Sequence, residues 1–469
     1  MSVSLAPLLC FASGFALVSL GWSRREPLAI DLLLRASLSV GFGFGIFSVE
    51  YFVCRAFSRT NLLAVDLAVL ALLAAALFFR SRFLSARSQE TKTQGLDERP
   101  VWFRRTVAAA FVFALFAAIY LAIQRVRIYP SGDGWDAFAI WNLHARFLFL
   151  GGSQWRDGFT ALLPGSHPDY PLLLPAAIAH FWSYFAHDDP RIPSAIGFAF
   201  TFATAGVLFA ALAFLRGRVA AMIGTIVLLS TPSFIEQGTA QYADVPLSFF
   251  FLACVVLLCL GGEERERSSS GLLALAGVAA AFAAWTKNEG LLFLCALAFA
   301  RVAILARRRT RTALASEIST IPLLAVLVPA LLLILYYKHF VGVPGDLFSS
   351  PSASLHRLLD SARYWAVIKW YVKGFFRFGH WFLLPVSLLL LALALTTSRD
   401  ISLARQPGSR TAVFAMALTL GGYFLVFLIT PYDIYWHLRF SLLRLFLQVW
   451  PATVFLVLSN VRTTSAPNA

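Results

Sequence analysis

The composition of this 469-residue chain excludes a soluble globular protein. Hydrophobic residues make up 59% of it, charged residues 13%, and the mean hydropathy is +0.73; soluble domains average roughly 45–50% apolar and about 25% charged residues. A net charge of +15 is often a sign of nucleic-acid binding, but Lys and Arg concentrated on cytoplasmic loops explain it in a membrane protein. The five cysteines lie in or beside apolar runs without CxxC spacing, so we expect buried thiols.

Apolar runs long enough to cross a bilayer recur along the chain. They predict an all-α polytopic membrane protein with about 13 transmembrane helices. The first run has no basic region ahead of it, unlike a secretory signal peptide, so we expect a retained span that enters from outside. The predicted spans are residues 3–22, 30–53, 61–79, 106–123, 192–215, 219–235, 244–261, 271–286, 289–306, 319–338, 379–397, 411–430 and 443–460.

Basic clusters fix the predicted orientation. With the N-terminus outside, clusters 23–25, 216–218 and 307–311 and the linker 80–105 all lie on the cytoplasmic side, as the positive-inside rule requires. The segment Pro171–His187 is also apolar enough to span, but a span there would invert every later basic loop. We therefore predict an interfacial or re-entrant helix on the outer side.

Two long outer loops follow from this topology, at 124–191 and 339–378. The first contains Asp133 and Asp136 just after the fourth span. A turn at Asp133 and a helix N-cap at Asp136 would explain both without any chemistry. In the second loop, the basic and aromatic mixture of residues 354–376 suits a helix lying on anionic headgroups.

Further polar residues gather at the predicted outer face, where function is expected because charges at span depth are costly. Asp244 opens a span and is explained by helix capping alone or by a role in a site. Lys287 and Glu289 share a tight turn, where snorkelling and phosphate binding are equally good explanations. His437 and Arg439 accompany aromatic belt residues at the last span and add donors for a phosphate ligand.

The chain lacks several common catalytic motifs. It has no GxxxxGK[ST] phosphate loop, HExxH zinc helix or GxSxG elbow, so nucleotide, zinc and serine hydrolysis are not supported. Any chemistry must therefore use outer-face carboxylates. Glu50 and Asp66 lie toward the outer ends of the second and third spans, where they can reach water or each other, and we favour structural roles for them.

Taken in order, these motifs resemble the GT-C superfamily of polytopic glycosyltransferases, particularly bacterial relatives of protein O-mannosyltransferases and of the lipid A aminoarabinose transferase. The resemblance covers about residues 106–310 well and the remainder loosely. The matching elements are Asp136 with the turn Gly151–Trp155 (GGSQW), then His167–Pro171 (HPDYP), Tyr242–Pro246 (YADVP, with one inserted residue) and Trp285–Gly290 (WTKNEG). The chain departs from the family in having three extra spans ahead of the usual first one, and two first-loop aspartates where one is typical.

The resemblance divides the chain into three regions and assigns roles. Residues 1–105 are three additional spans with a basic cytoplasmic linker, 106–310 are the GT-C-like catalytic core, and 311–469 are C-terminal spans. Asp136, with Asp133 as the competing candidate, is implied as the catalytic base, and Asp244 as the residue that orients the acceptor or the sugar. The implied substrate-binding residues are His167, Tyr170, Lys287, Glu289, His437 and Arg439, of which Lys287 with Arg439 or His437 neutralises a departing phosphate.

The implied reaction is transfer of a sugar, with inversion, from a polyprenyl-phosphate carrier to a glycan, lipid or protein acceptor at the outer face. A bacterial inner membrane is expected, with no nucleic-acid partner. No residue is assigned to a metal, and dependence on a divalent metal stays open because related oligosaccharyltransferases need one while monosaccharide transferases need not. A transporter or flippase for a lipid-linked sugar is the alternative, although transporters usually carry internal repeats and mid-membrane polar residues; a non-catalytic scaffold is a third.

Overall fold

The computed structural model describes residues 5–23, 27–57, 61–83, 99–261, 266–306, 321–345, 347, 350–381, 386–396 and 404–461. Within these ranges the chain is α-helical and contains no β-strand. The predicted all-α class is therefore confirmed.

Four helices precede the first long loop: α1 (Leu5–Gly21), α2 (Leu28–Ala56), α3 (Leu62–Phe83) and α4 (Val101–Ile128). The loop contains a π-helical turn (Ala137–Trp141) that continues into α5 (Asn142–Leu150), two 3₁₀ turns (Gly152–Phe159, Pro164–Ser166) and α6 (Leu173–Phe185). The following helices are α7 (Arg191–Arg216), α8 (Arg218–Leu229), α9 (Pro232–Thr239), α10 (Asp244–Gly261), α11 (Glu266–Thr286) and α12 (Asn288–Ala306). The last are α13 (Ile321–Phe340), α14 (Pro351–Leu359), α15 (Ser361–Arg377), α16 (Val386–Thr396), α17 (Pro407–Ile429) and α18 (Ile434–Asn460), with a 3₁₀ turn at Phe378–His380.

Eight of the described helices are long and apolar enough to cross a membrane: α2, α3, α4, α7, α10, α13, α17 and α18. Helices α8 and α9 meet the same criterion only as a pair bent by 65°. The chain is thus an integral multi-pass membrane protein. The number of about 13 spans stays a prediction, because α1 and the segment Ser270–Thr286 of α11 are shorter apolar helices and the described part of α16 has 11 residues.

Helix α10 forms the centre of the bundle. All of its residues are buried, and it packs against α7, α11, α17 and α18. A helix that is apolar on every side is expected in such an interior position. By contrast, α3 and α4 leave large apolar side chains such as Leu72 and Phe113 exposed, as helices facing lipid do. The N-terminus of α10 therefore holds Asp244 inside protein.

The segment Pro171–His187 forms the 13-residue helix α6. At 1.5 Å per residue it is about 20 Å long, shorter than a hydrocarbon core of about 30 Å. It packs against α2, α5 and α7, and nearly all of its side chains are buried. Of the two predicted alternatives, enclosure by protein favours the re-entrant helix over one lying on lipid.

The predicted headgroup helix at 354–376 is two helices, α14 and α15. Asp360 separates them and caps α15 by accepting a hydrogen bond from the Ala362 amide. Helix α15 exposes an apolar stripe at Trp365, Ile368 and Val372. This spacing of three and four residues places the stripe on one helix face.

Helices α11 and α12 form a tight hairpin in which Lys287 is the one residue between them. The turn closes through a hydrogen bond from the Gly290 amide to the Lys287 carbonyl, 2.9 Å long. A Cβ added to Gly290 would overlap the backbone carbonyl of Ala283. Glycine at this position therefore allows the close approach of the two helices and fixes the direction of Lys287.

We expect Gly290→Ala to destabilise the protein by about 1–3 kcal/mol, the usual cost of overpacking. The measurement is the apparent melting temperature of the detergent-solubilised protein. Gly421→Ala is the matched control, because no atom lies within 4 Å of a Cβ there and alanine favours a helix. Equal melting temperatures for the two variants would contradict the assigned constraint.

Candidate active site

Asp244, at the start of α10, is the centre of a polar cluster. Its side chain is fully buried and accepts four hydrogen bonds. Lys287 Nζ and Gln448 Nε2 donate to Oδ1 at 3.1 and 2.6 Å, while Arg444 Nε and Nη2 donate to Oδ2 at 2.9 and 2.6 Å. A buried carboxylate requires compensation of this kind. All four donors are side chains, so helix capping alone does not account for Asp244.

Arg444 joins three parts of the fold. Its Nη1 lies 2.7 Å from Asp136 Oδ2 while its other nitrogens hold Asp244, and the guanidinium carbon lies 4.8 Å from the centre of the Tyr242 ring. A planar guanidinium offers donors in a fixed fork, so it binds two carboxylates at once in a way that lysine does not. Arg444 thus connects α18, the long loop between α4 and α7, and α10.

Lys287 lies between two carboxylates. Its Nζ is 3.1 Å from Asp244 Oδ1 and 2.9 Å from Glu289 Oε1, and 5.7 Å from the centre of the Tyr170 ring. Burial acts to lower the pKa of Lys287, but the charges of Asp244 and Glu289 outweigh it and leave the pKa raised. The ammonium group therefore stays charged at neutral pH.

These five residues are named here the carboxylate–cation cluster: Asp136, Asp244, Lys287, Glu289 and Arg444. The cluster has three carboxylates and two cations, so it carries one net negative charge when all five are ionised. The exposed fraction differs among the five side chains. The side chain of Asp244 is 0% exposed and that of Lys287 6%, whereas Glu289, Asp136 and Arg444 are 18%, 21% and 22% exposed. The Asp136–Arg444 side of the cluster is therefore its most exposed side.

The HPDYP segment forms the wall beside Lys287. The Tyr170 ring stacks between His167 and Trp141, with ring centres 4.7 and 5.7 Å away. Burial, followed by the charges of Glu289 and Asp169, raises the pKa of Tyr170 well above its usual value, so its hydroxyl is neutral. Asp169 Oδ2 accepts a hydrogen bond from Asn288 Nδ2 at 2.6 Å, which attaches this segment to the α11–α12 hairpin.

The structure separates the two first-loop aspartates. Asp136 contacts Arg444 in the cluster, whereas Asp133 pairs with Arg125 of α4. Gly134 lies between them with a φ of +99°, a backbone conformation that glycine adopts readily. The two carboxylates consequently have different partners although they are three residues apart.

Among the described residues, no hydrogen bond or ion pair joins His437 or Arg439 to Asp244 or Lys287, although the charges of Glu289 and Lys287 act on His437. His437 is half-buried, with Nδ1 2.8 Å from Thr430 Oγ1 and its ring against Phe427. Arg439 is exposed, with its guanidinium carbon 5.7 Å from the centre of the Phe440 ring. The cation that α18 gives to the cluster is Arg444 instead.

Sequence reasoning missed Arg444 and Gln448. They lie at i and i+4 on one face of α18, and Gln448 accepts a hydrogen bond from Tyr423 OH at 2.7 Å. A signal was present, because an arginine and a glutamine inside an apolar span are costly unless paired and so mark a functional or structural network. The predicted donors His437 and Arg439 lie nearer the start of the same helix.

We expect Arg444→Met to destabilise the protein by about 3–5 kcal/mol, because it leaves buried Asp244 without its bidentate partner. Arg439→Met, in the same helix but exposed, should change the free energy of unfolding by no more than about 0.5 kcal/mol. Thermal melts of both variants in detergent measure the difference. Similar shifts in the two melts would mean that the Arg444 contacts contribute no more than a surface charge.

Residues 178–342 match the family model of dolichyl-phosphate-mannose-protein mannosyltransferases. No curated protein and no solved structure matches the chain. The matched region contains Asp244, Lys287 and Glu289, while Asp136 precedes it and Arg444 follows it. By this comparison residues 178–342 are a GT-C family domain, which agrees with the GT-C resemblance of the sequence motifs, and the matched family consists of membrane glycosyltransferases.

Proposed function

We propose that this protein transfers a sugar, with inversion, from a polyprenyl-phosphate carrier to an acceptor hydroxyl or amine at the outer face of a bacterial inner membrane. The observation that carries the proposal is the cluster itself: a partly exposed carboxylate, Asp136, shares a guanidinium with a fully buried one, beside a charged lysine. The family match at 178–342 supports a polyprenyl-phosphate-linked donor. Glycan, lipid and protein acceptors all remain within this proposal.

The two cations are proposed to bind the phosphate of the donor. Phosphate charge grows as the bond to the sugar breaks, and donors already directed at that charge stabilise the transition state most. Glu289 and Asp136 are the more exposed partners of Lys287 and Arg444, so phosphate oxygens compete with these two carboxylates. Asp244 keeps both cations in place because it is buried and its oxygens are occupied.

Asp244 is therefore proposed as a positioning residue. Because its oxygens already accept four hydrogen bonds, Asp244 is not proposed to contact the sugar. It holds Arg444 and Lys287 in position instead. Tyr242, whose pKa burial and the charge of Asp136 raise to about 12, is a neutral hydroxyl donor beside the same guanidinium. This role differs from the orienting role that the resemblance implies for Asp244.

Asp136 is proposed as the general base. Arg444 contacts its Oδ2, and no described residue donates to its Oδ1. The acceptor oxygen or nitrogen attacks the anomeric carbon from the side opposite the phosphate, the bond from that carbon to the phosphate oxygen breaks, and the acceptor proton passes to Asp136. The anomeric configuration inverts in this single displacement.

We expect Asp136→Asn to lower the transfer rate by about 10²–10⁴-fold, the usual contribution of general-base catalysis. Asp133→Asn, three residues away and paired with Arg125, is the matched control and should stay within a few-fold of wild type. The measurement uses cells that lack the protein and are complemented with each variant at matched membrane levels. Mass spectrometry of their polyprenyl-phosphate sugars and envelope glycans reports the transfer. The sugar-loaded carrier should accumulate with Asp136→Asn alone. Full complementation by that variant would remove the catalytic assignment and favour transport.

A pH profile tests the charge on Lys287. Glu289 helps to raise the pKa of Lys287, so Glu289→Gln lowers that pKa, and the ammonium loses its proton at a lower pH. The alkaline limb of kcat/KM, measured in proteoliposomes over a pH range that extends above 10.5, should therefore move to lower pH while the acidic limb stays. Glu236→Gln, which removes a carboxylate paired with His380, is the control. An alkaline limb at the same pH in both variants would contradict a role for the Lys287 charge.

A further inference from the structure

A second buried polar cluster lies between α2, α3 and α6. It consists of Glu50, Asp66 and His180, whose nearest side-chain oxygen and nitrogen atoms all lie within 4.8 Å of one another. The exposed fractions of the three residues are 7%, 0% and 0%. No contact of these residues with the carboxylate–cation cluster is described, so the proposed reaction does not account for them.

The backbone fixes the tautomer of His180. Its Nδ1 lies 2.9 Å from the Phe47 carbonyl oxygen, which can only accept a hydrogen bond, so Nδ1 carries the proton. In a neutral imidazole, Nε2 then carries a lone pair. The distance from Nε2 to Asp66 Oδ2 is 3.1 Å. A carbonyl that orients a histidine in this way is common behind metal-binding imidazoles.

The carboxylates of this cluster have too few donors. Tyr184 OH donates to Asp66 Oδ2, but Asp66 Oδ1 and both oxygens of Glu50 have no hydrogen-bond partner among the described residues. Burying carboxylates without compensation is very unfavourable. Two carboxylates and an imidazole lone pair facing one another require a positive charge between them.

We propose that Glu50, Asp66 and His180 bind a divalent transition-metal ion of the Zn²⁺ type. One imidazole nitrogen with carboxylate oxygens is a ligand set for such an ion, whereas Mg²⁺ and Ca²⁺ prefer oxygen alone. Ligand atoms around one tetrahedral Zn²⁺ lie about 3.4 Å apart, close to the 3.1 Å between His180 Nε2 and Asp66 Oδ2. The ion supplies the charge that the described side chains lack.

The position of this site gives the ion a structural role. It connects α2 and α3 to α6, the helix that follows the HPDYP segment. Two residues before Glu50, Ser48 Oγ donates to the Leu172 carbonyl and accepts from Trp285 Nε1. Trp285 in turn lies two residues before Lys287. An ion that fixes α2 against α6 therefore helps to position the HPDYP segment and the α11–α12 turn beside Lys287. It does so without contacting the substrate.

The test is the metal content of the full-length protein purified in detergent. After chelation and reloading with Zn²⁺, mass spectrometry of the metal should give about one equivalent per chain, and reloading with Co²⁺ should give visible absorption bands. Glu50→Gln and His180→Gln should lose the bound ion. Glu236→Gln and His380→Gln are matched controls, since they change a carboxylate–imidazole pair elsewhere, and should retain it.

The wild-type protein alone can refute this proposal, so the test does not depend on whether the variants fold. If chelated wild type takes up neither Zn²⁺ nor Co²⁺ and its melting temperature does not rise with either ion, protons shared between Glu50 and Asp66 supply the charge and the metal assignment is wrong. Retention of the ion by both Glu50→Gln and His180→Gln would equally overturn it. A metal-dependent rise in melting temperature that the controls keep and the two variants lose would support it.

Discussion

The arrangement of the helices around the candidate site depends on one buried carboxylate. Asp244 begins the helix that is enclosed on all sides, so its charge must be compensated by side chains from elsewhere in the chain. Arg444 and Gln448 provide this from the last span, and Lys287 from the α11–α12 turn. The need to satisfy Asp244 therefore brings together segments that lie 43 to 204 residues apart. The candidate site is a product of that requirement.

Compensation of Asp244 also connects the buried part of the cluster to its more exposed edge. Arg444 has more donors than one carboxylate can use, and the surplus reaches Asp136 at the more exposed side. A lysine at position 444 would satisfy part of the charge but would not bind two carboxylates in a fixed plane. The same guanidinium can thus be structural toward the interior and available to an anion toward the outside.

Local sequence was sufficient to find the elements that need only a turn or a helix start. YADVP opens a buried helix at Asp244, and WTKNEG forms a one-residue turn because Gly290 permits it; both follow from nearby residues. Arg444 could not be assigned in this way, since its partners are set by how α18 packs against α10. The difference between Asp133 and Asp136 was likewise out of reach, because it depends on the backbone direction at Gly134 and on where Arg125 lies.

The enclosure of α6 has a consequence for biogenesis. This short apolar helix is made after α2 and before α7, yet it packs against both. When it leaves the ribosome, one of the surfaces that will cover it does not exist. Unlike a span, α6 is too short to cross the bilayer on its own before α7 is made. Its docking can therefore be completed only once α7, which begins at Arg191, has been made.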